Sequence, residues 1–198
     1  MTDGDATKRE PRQITDAQTM RALAHPIRLE LLDLIQRDGE VTASRAAEVL
    51  GESPGNMSWH LQTLAKYGFV EEAGNGKGRS RPWRIAEHSN RFTAEPDDAG
   101  ASAAGTALAG QVMDRAVEMQ RQWFGARSGF AAEWQSAAFL HNSIAYLTAE
   151  ELQEISEELV QVVVRYNDRL DRSKRPEGAQ PVHLTAFGHP LPPTESGN

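Results

Sequence analysis

The sequence predicts a mainly α protein with a small β element inside its first half. Three observations carry that expectation. Apolar residues recur at spacings of three and four in several separate runs. Hydroxyl N-caps and prolines stand where the runs begin, and glycines where they end. Two short strand signals, FVEEA and RPWRIAE, flank the glycine-rich loop GNGKGRS.

Taken in order, residues 1–13 read as a polar, disordered tail. DAQTMRALA (16–24) is a first helix with Met20 and Leu23 on one face. In HPIRLELLDLIQRDG, Pro26 sits near a helix start, where its missing N–H costs nothing. Ile27, Leu31, Leu34 and Ile35 form the apolar side, and Gly39 ends the run. VTASRAAEVLGES is a short third helix: Thr42 caps it, Ala46, Val49 and Leu50 are apolar, and Gly51 stops it. Ser53 and Pro54 open a fourth helix with Met57, Leu61 and Leu64 as its buried stripe and Gly68 as its terminator. The hairpin follows.

Residues 93–104, TAEPDDAGASAA, read as a linker. Residues 105–126 form a helix with Leu108, Val112, Ala116, Met119 and Trp123 at helical spacing. AAFLHNSIAYL either continues a helix from Trp134 or ends as a strand. Thr148 and Glu151 make a capping box. The helix behind them carries Leu152, Ile155, Leu159, Val162, Val163, Tyr166 and Leu170 on one side and acids on the other. PVHLTAF alternates and suits a last strand against 139–146. The expected organisation is a tail (1–13), a first domain (14–92), a linker (93–104), an α-helical (α+β) C-terminal region (105–188) and a loose end (189–198).

Composition narrows the class. The 198 residues suit one or two domains and contain no cysteine, so disulfides, thiolate metal sites and cysteine nucleophiles are out. No apolar run nears the ~20 residues of a membrane span, and the start lacks an apolar signal core. A cytoplasmic protein without a membrane partner is expected. The net charge is −7, all of it from residues 94–198; residues 14–93 hold ten basic and ten acidic side chains. Within that neutral block Lys77, Arg79, Arg81, Arg84 and Arg91 face only Glu87 between residues 75 and 91, a local +4 suited to a polyanion.

Helix, helix, short helix, tight turn, helix and basic hairpin is the order of a winged helix-turn-helix. A capped helix fits the DNA major groove, its N-terminal turn offers N–H groups to phosphates, and a basic wing reaches the backbone or an adjacent groove. ALAHPIRLELLDLI (22–35), AAEVLGESPGNMSWHLQTLAKYGFVEE (46–72) and the wing to Ile85 resemble the ArsR-type winged-helix repressors. The resemblance covers residues 16–86, under half of the chain. It implies a homodimer on double-stranded operator DNA, usually a repressor, released by a ligand. With Met57, Leu61 and Leu64 inward, the open arc of the fourth helix holds Gly55, Asn56, Ser58, Trp59 and Gln62, with Ser53 at its cap. Asn and Gln can pair with adenine, Ser58 can reach a phosphate or a base, and Gly55 admits close approach. Trp59 either lays its ring on a thymine methyl or a sugar, or packs across onto the wing. His60 reads as a packing histidine. Lys77, Arg79 and Arg81 are the expected wing contacts.

The metal sites that the resemblance implies are missing: Thr42 and Ser44 stand where one site has cysteines, and residues 105–126 contain no histidine. No metal, cofactor or enzyme motif is expected. Trp123, Phe124, Phe130, Trp134, Phe139 and Tyr146 cluster in 24 positions. They suit a pocket for a small organic effector, or the core of an accessory subdomain with a dimer interface, for which the 105–126 stripe is the natural seam. The function expected is a sequence-specific transcriptional regulator with modest, strongly salt-dependent non-specific affinity. The alternatives are a winged-helix protein-interaction module and an effector sensor.

Overall fold

The structure is a computed structural model; it describes residues 12–74, 81–86, 90–92 and 97–192. The chain divides into two units, residues 1–119 and 120–198.

In the first unit the order is β1 (Arg12–Ile14), α1 (Ala17–Leu23), α2 (Pro26–Asp38), β2 (Val41–Thr42), α3 (Ala43–Leu50), α4 (Pro54–Lys66), β3 (Val70–Glu72), β4 (Pro82–Ile85) and β5 (Asn90–Phe92). The helix α5 (Ala99–Ala126) begins in this unit. β2, β4 and β3 form an antiparallel sheet in that order, with Val70 opposite Ile85 and Val41 opposite Trp83. This is the wing, and its attachment to β2 ties the hairpin to the start of α3. β1 and β5 pair in parallel. The fold is therefore a winged helix, followed by a helical C-terminal region.

Apolar spacing explains the core. Met20 and Leu23, Leu31, Leu34 and Ile35, Ala46, and Met57, Leu61 and Leu64 turn inward from the four helices, and Phe69, Val70 and Trp83 close the sheet side. Asp16 accepts from the Thr19 N–H at 2.7 Å and starts α1. Thr42 caps α3 through the Arg45 N–H. Each cap satisfies a donor that helix geometry leaves open and contributes about 1 kcal/mol.

Several boundaries differ from expectation. Residues 12 and 13 belong to β1 rather than to a tail: Arg12 donates to the Tyr67 carbonyl at 2.8 Å, and its guanidinium sits against Gly68, whose left-handed φ of 73° favours glycine. The expected linker is helical from Ala99, because the Asp98 carboxylate accepts from the Gly100 and Ala101 N–H groups at 2.8 and 2.9 Å. Ala101, Ala104 and Leu108 are buried, the last two in the winged-helix core, and Arg115 ties α5 to Asp33 of α2 at 2.8 Å.

The second unit contains the end of α5, α6 (Ala132–Ala137) and α7 (Ala149–Val164), with single 3-10 turns at Arg127–Gly129, Asn167–Leu170 and Arg172–Lys174. The capping box at Thr148 and Glu151 is made in both directions, at 2.7 and 3.2 Å. The strands expected at 139–146 and 181–187 do not form; both segments lack regular structure. Among the described residues of this unit none is buried, so no apolar layer exists there for an alternating segment to cover.

Candidate nucleic-acid interface

The turn before α4 is built from three local choices. Gly51 ends α3 in the left-handed region at φ 71°, which frees the chain to reverse. The Ser53 hydroxyl accepts from the Asn56 N–H at 3.1 Å. Pro54 then takes the first helical position, where no N–H is needed. Met57, His60, Leu61 and Leu64 are buried, which fixes the rotation of the helix. Gly55, Trp59 and Gln62 consequently stand on the exposed face, with Asn56 and Ser58 half-buried on its flanks.

Trp59 is 55% exposed, yet it is held. Beneath it lies Arg28 of α2, only 8% exposed, with its guanidinium carbon 5.3 Å from the Trp59 ring centroid. Arg28 Nε donates to His60 Nδ1 at 3.3 Å, and its Nη1 donates to the Ala22 carbonyl. The Trp59 ring meets His60 edge-on at 4.8 Å, and His60 faces His25 at the same centroid distance. Within this stack the cation has neutral partners. A desolvated cation over an indole face gains up to about 2 kcal/mol, and the guanidinium in turn holds the ring's level above α4.

Protonation follows from the same packing. Burial pushes the His60 pKa down, and His25 and Arg28 push it further, against a smaller opposing effect of Glu52. Burial, then Arg28, lowers His25, whose buried Nδ1 has no hydrogen-bond partner. A neutral His60 is what the Arg28 hydrogen bond requires, since Nδ1 must accept.

The polar contacts are partly engaged. Asn56 Nδ2 donates to Glu52 Oε2 at 2.9 Å, so reading a base would first release that carboxylate. Arg81 Nη1 contacts both Glu72 carboxylate oxygens, at 3.1 and 3.0 Å. Arg84 Nε reaches Glu71 at 2.8 Å across the β3–β4 register. The local +4 therefore needs correcting: Glu71 and Glu72 lie just outside the counted window but inside the same hairpin. Lys77 and Arg79 fall outside the described residues.

Two residues here were not singled out from the sequence. Lys66 is exposed two turns beyond Trp59, at i+7 on the same face, with its Nζ 5.5 Å from the Tyr67 ring; its spacing could have found it. Arg28 had no such signal, because only the folded packing of α2 against α4 places it under the tryptophan.

In the C-terminal unit, the Trp123 and Phe130 rings meet at 5.0 Å and Trp134 is half-buried. Phe124 is 58% exposed, Phe139 78% and Tyr146 fully. The six aromatics do not enclose a pocket within the chain. A shallow groove of this unit is lined instead by Glu154, Glu157, Glu158, Gln161, Val162 and Arg165. Among the described residues no group of three or more His, Asp or Glu side chains is placed to hold a metal ion, and no helix is long and apolar enough to cross a membrane.

Known proteins resemble the part that builds this face. Residues 23–73 match a helix-turn-helix domain family. A probable mercury resistance operon repressor of Streptomyces lividans is 43% identical over 63 residues, which make up 32% of this chain and 50% of that protein. The chain thus spans about half the length of that relative.

Proposed function

We propose, from the match of residues 23–73 to a helix-turn-helix domain family, that this chain is a cytoplasmic, non-enzymatic transcriptional regulator of ArsR type that binds duplex DNA as a homodimer and acts as a repressor. The observation that carries the reading is α4 itself. A left-handed turn and a side-chain cap present its N-terminus, and Gly55, Trp59 and Gln62 form an open face beside Asn56 and Ser58. In this reading α4 enters the major groove, Gln62 and Asn56 read adenine edges, Ser53 and Ser58 lie at the phosphates, and Trp59 covers a thymine methyl or sugar. Lys77, Arg79 and Arg81 approach the backbone from the wing. The relative's name refers to mercury resistance. With no cysteine among its 198 residues, this chain has no thiolates for a soft metal, and its release signal is of another kind.

The second reading, a winged helix that binds protein, is favoured by the charge compensation of Arg81 and Arg84 by Glu72 and Glu71, and by the hydrogen bond that engages Asn56 with Glu52. Selecting genomic DNA fragments on the full chain and sequencing what is retained separates the two. An enriched inverted repeat, with affinity lost in Arg79→Ala plus Arg81→Ala, supports the regulator. No enriched repeat and no effect of the double substitution overturns it.

A further inference from the structure

The described residues of the second unit present apolar surface without a core. Along α7, Ile155, Leu159, Val162 and Val163 are 41–48% exposed, and Tyr166 just beyond is 51% exposed. At 100° per residue these side chains form one stripe, and Leu152 extends it. An amphipathic helix of this kind stays folded by burying its stripe against something.

The charges along α7 say what. Glu150, Glu151, Glu154, Glu157 and Glu158 stand in its first ten residues with no basic side chain among them. Arg165, Arg169, Arg172, Lys174 and Arg175 follow its end, against Asp168 and Asp171 alone. The segment thus has a negative first half and a positive second half. A parallel copy would set like charges side by side. An antiparallel copy sets each block against its opposite, and a two-fold axis makes both contacts at once.

We propose that α7 pairs antiparallel with α7 of a second copy of this chain, and that this is a seam of the homodimer. The proposal rests on the dimeric reading above and gives it a surface. Glu158 and Arg165 lie seven residues apart on one edge of the stripe, and neither side chain holds a hydrogen bond or ion pair among the described residues. A two-fold axis between Val160 and Gln161 sets Leu159 opposite Val162 of the second copy and Ile155 opposite its Tyr166. In that register Glu158 stands beside Arg165 of the second copy. The groove lined by Glu158, Gln161, Val162 and Arg165 runs along this edge.

The test is sedimentation equilibrium of the full chain. Glu158→Arg and Arg165→Glu each place like charges at both symmetry-related contacts, so each weakens self-association by about tenfold or more. Mixing the two variants restores it, because each supplies the charge the other lacks. Added salt weakens the wild-type dimer. The urea unfolding transition of the winged-helix core stays that of wild type in both variants, since neither residue belongs to that core. An unchanged association constant in both variants, a mixture no tighter than its components, or a wild-type chain that stays monomeric at about 100 times the micromolar range overturns the seam. DNA selection through α4 is scored separately, so the seam can fail while the regulator reading stands.

Discussion

Single residues decide whether the face of α4 reads DNA. Trp59 lies over Arg28 and is 55% exposed, so Trp59→Ala is expected to lower operator affinity by about 1–3 kcal/mol in a fluorescence-anisotropy titration. Its cost to stability is the loss of the cation–π contact with the desolvated Arg28, up to about 2 kcal/mol, measured by urea unfolding. A loss confined to stability would make the tryptophan a packing residue. Glu52 holds Asn56 and brings a negative charge to the same surface. Glu52→Gln therefore raises DNA affinity severalfold, and an unchanged affinity would mean that Asn56 does not reach a base. The histidine pair gives a pH signature. Both imidazoles have folded pKa values below their unfolded ones. Above about pH 6.5 they are neutral in both states, and their contribution is fully present. As pH falls below that, the unfolded chain protonates first, so stability declines until pH passes the depressed folded values. His60→Gln removes one of the two groups and flattens that decline in urea midpoints measured downward from about pH 6.5. Of these groups the sequence showed Trp59, Asn56 and Gln62 by helical spacing. It did not show the Glu52, Glu71 and Glu72 partners, because a count along the chain ignores what a hairpin register or one helical turn brings alongside.

At the scale of the element, legibility follows how local the determining chemistry is. α2, α3 and α4 were readable because caps, prolines, glycines and three-four spacing all act within one turn, and the hairpin was readable from its two apolar runs. β1 and β5 were not, since three-residue strands pairing across 78 positions carry no periodicity of their own. The start of α5 was hidden by small residues that look like a linker. There Ala101 and Ala104 are small because they are buried. Alternation at 181–187 misled in the opposite sense: strand periodicity needs a core face to cover, and that unit has none among its described residues. The caps give a direct check. Ser53→Ala leaves the Asn56 N–H without its acceptor at the entrance to α4, and costs about 1 kcal/mol of unfolding free energy. If DNA affinity falls by more than that loss of stability accounts for, the hydroxyl also meets the phosphate backbone.

For the whole molecule, buried side chains among the described residues begin at Ile14 and end at Leu108, and most of the apolar ones belong to one cluster built by the winged helix and the first turns of α5. Cooperative stability is therefore concentrated in residues 12–119, while α7 relies on surface it exposes. Local opening free energy tracks buried contact, which makes amide exchange the measurement that separates the two units. In dilute solution the slowest amides are expected in α2, α3, α4 and β4. Those of α7 exchange orders of magnitude faster, because a lone 16-residue helix is marginal in water. Raising the protein concentration should slow exchange in α7 and leave α2 unchanged, since association stabilises only the segment that the second copy covers. Slow exchange in α7 at every concentration would place its stabilising contacts inside one chain, and the charge halves of α7 would then serve its own helix dipole rather than a second copy.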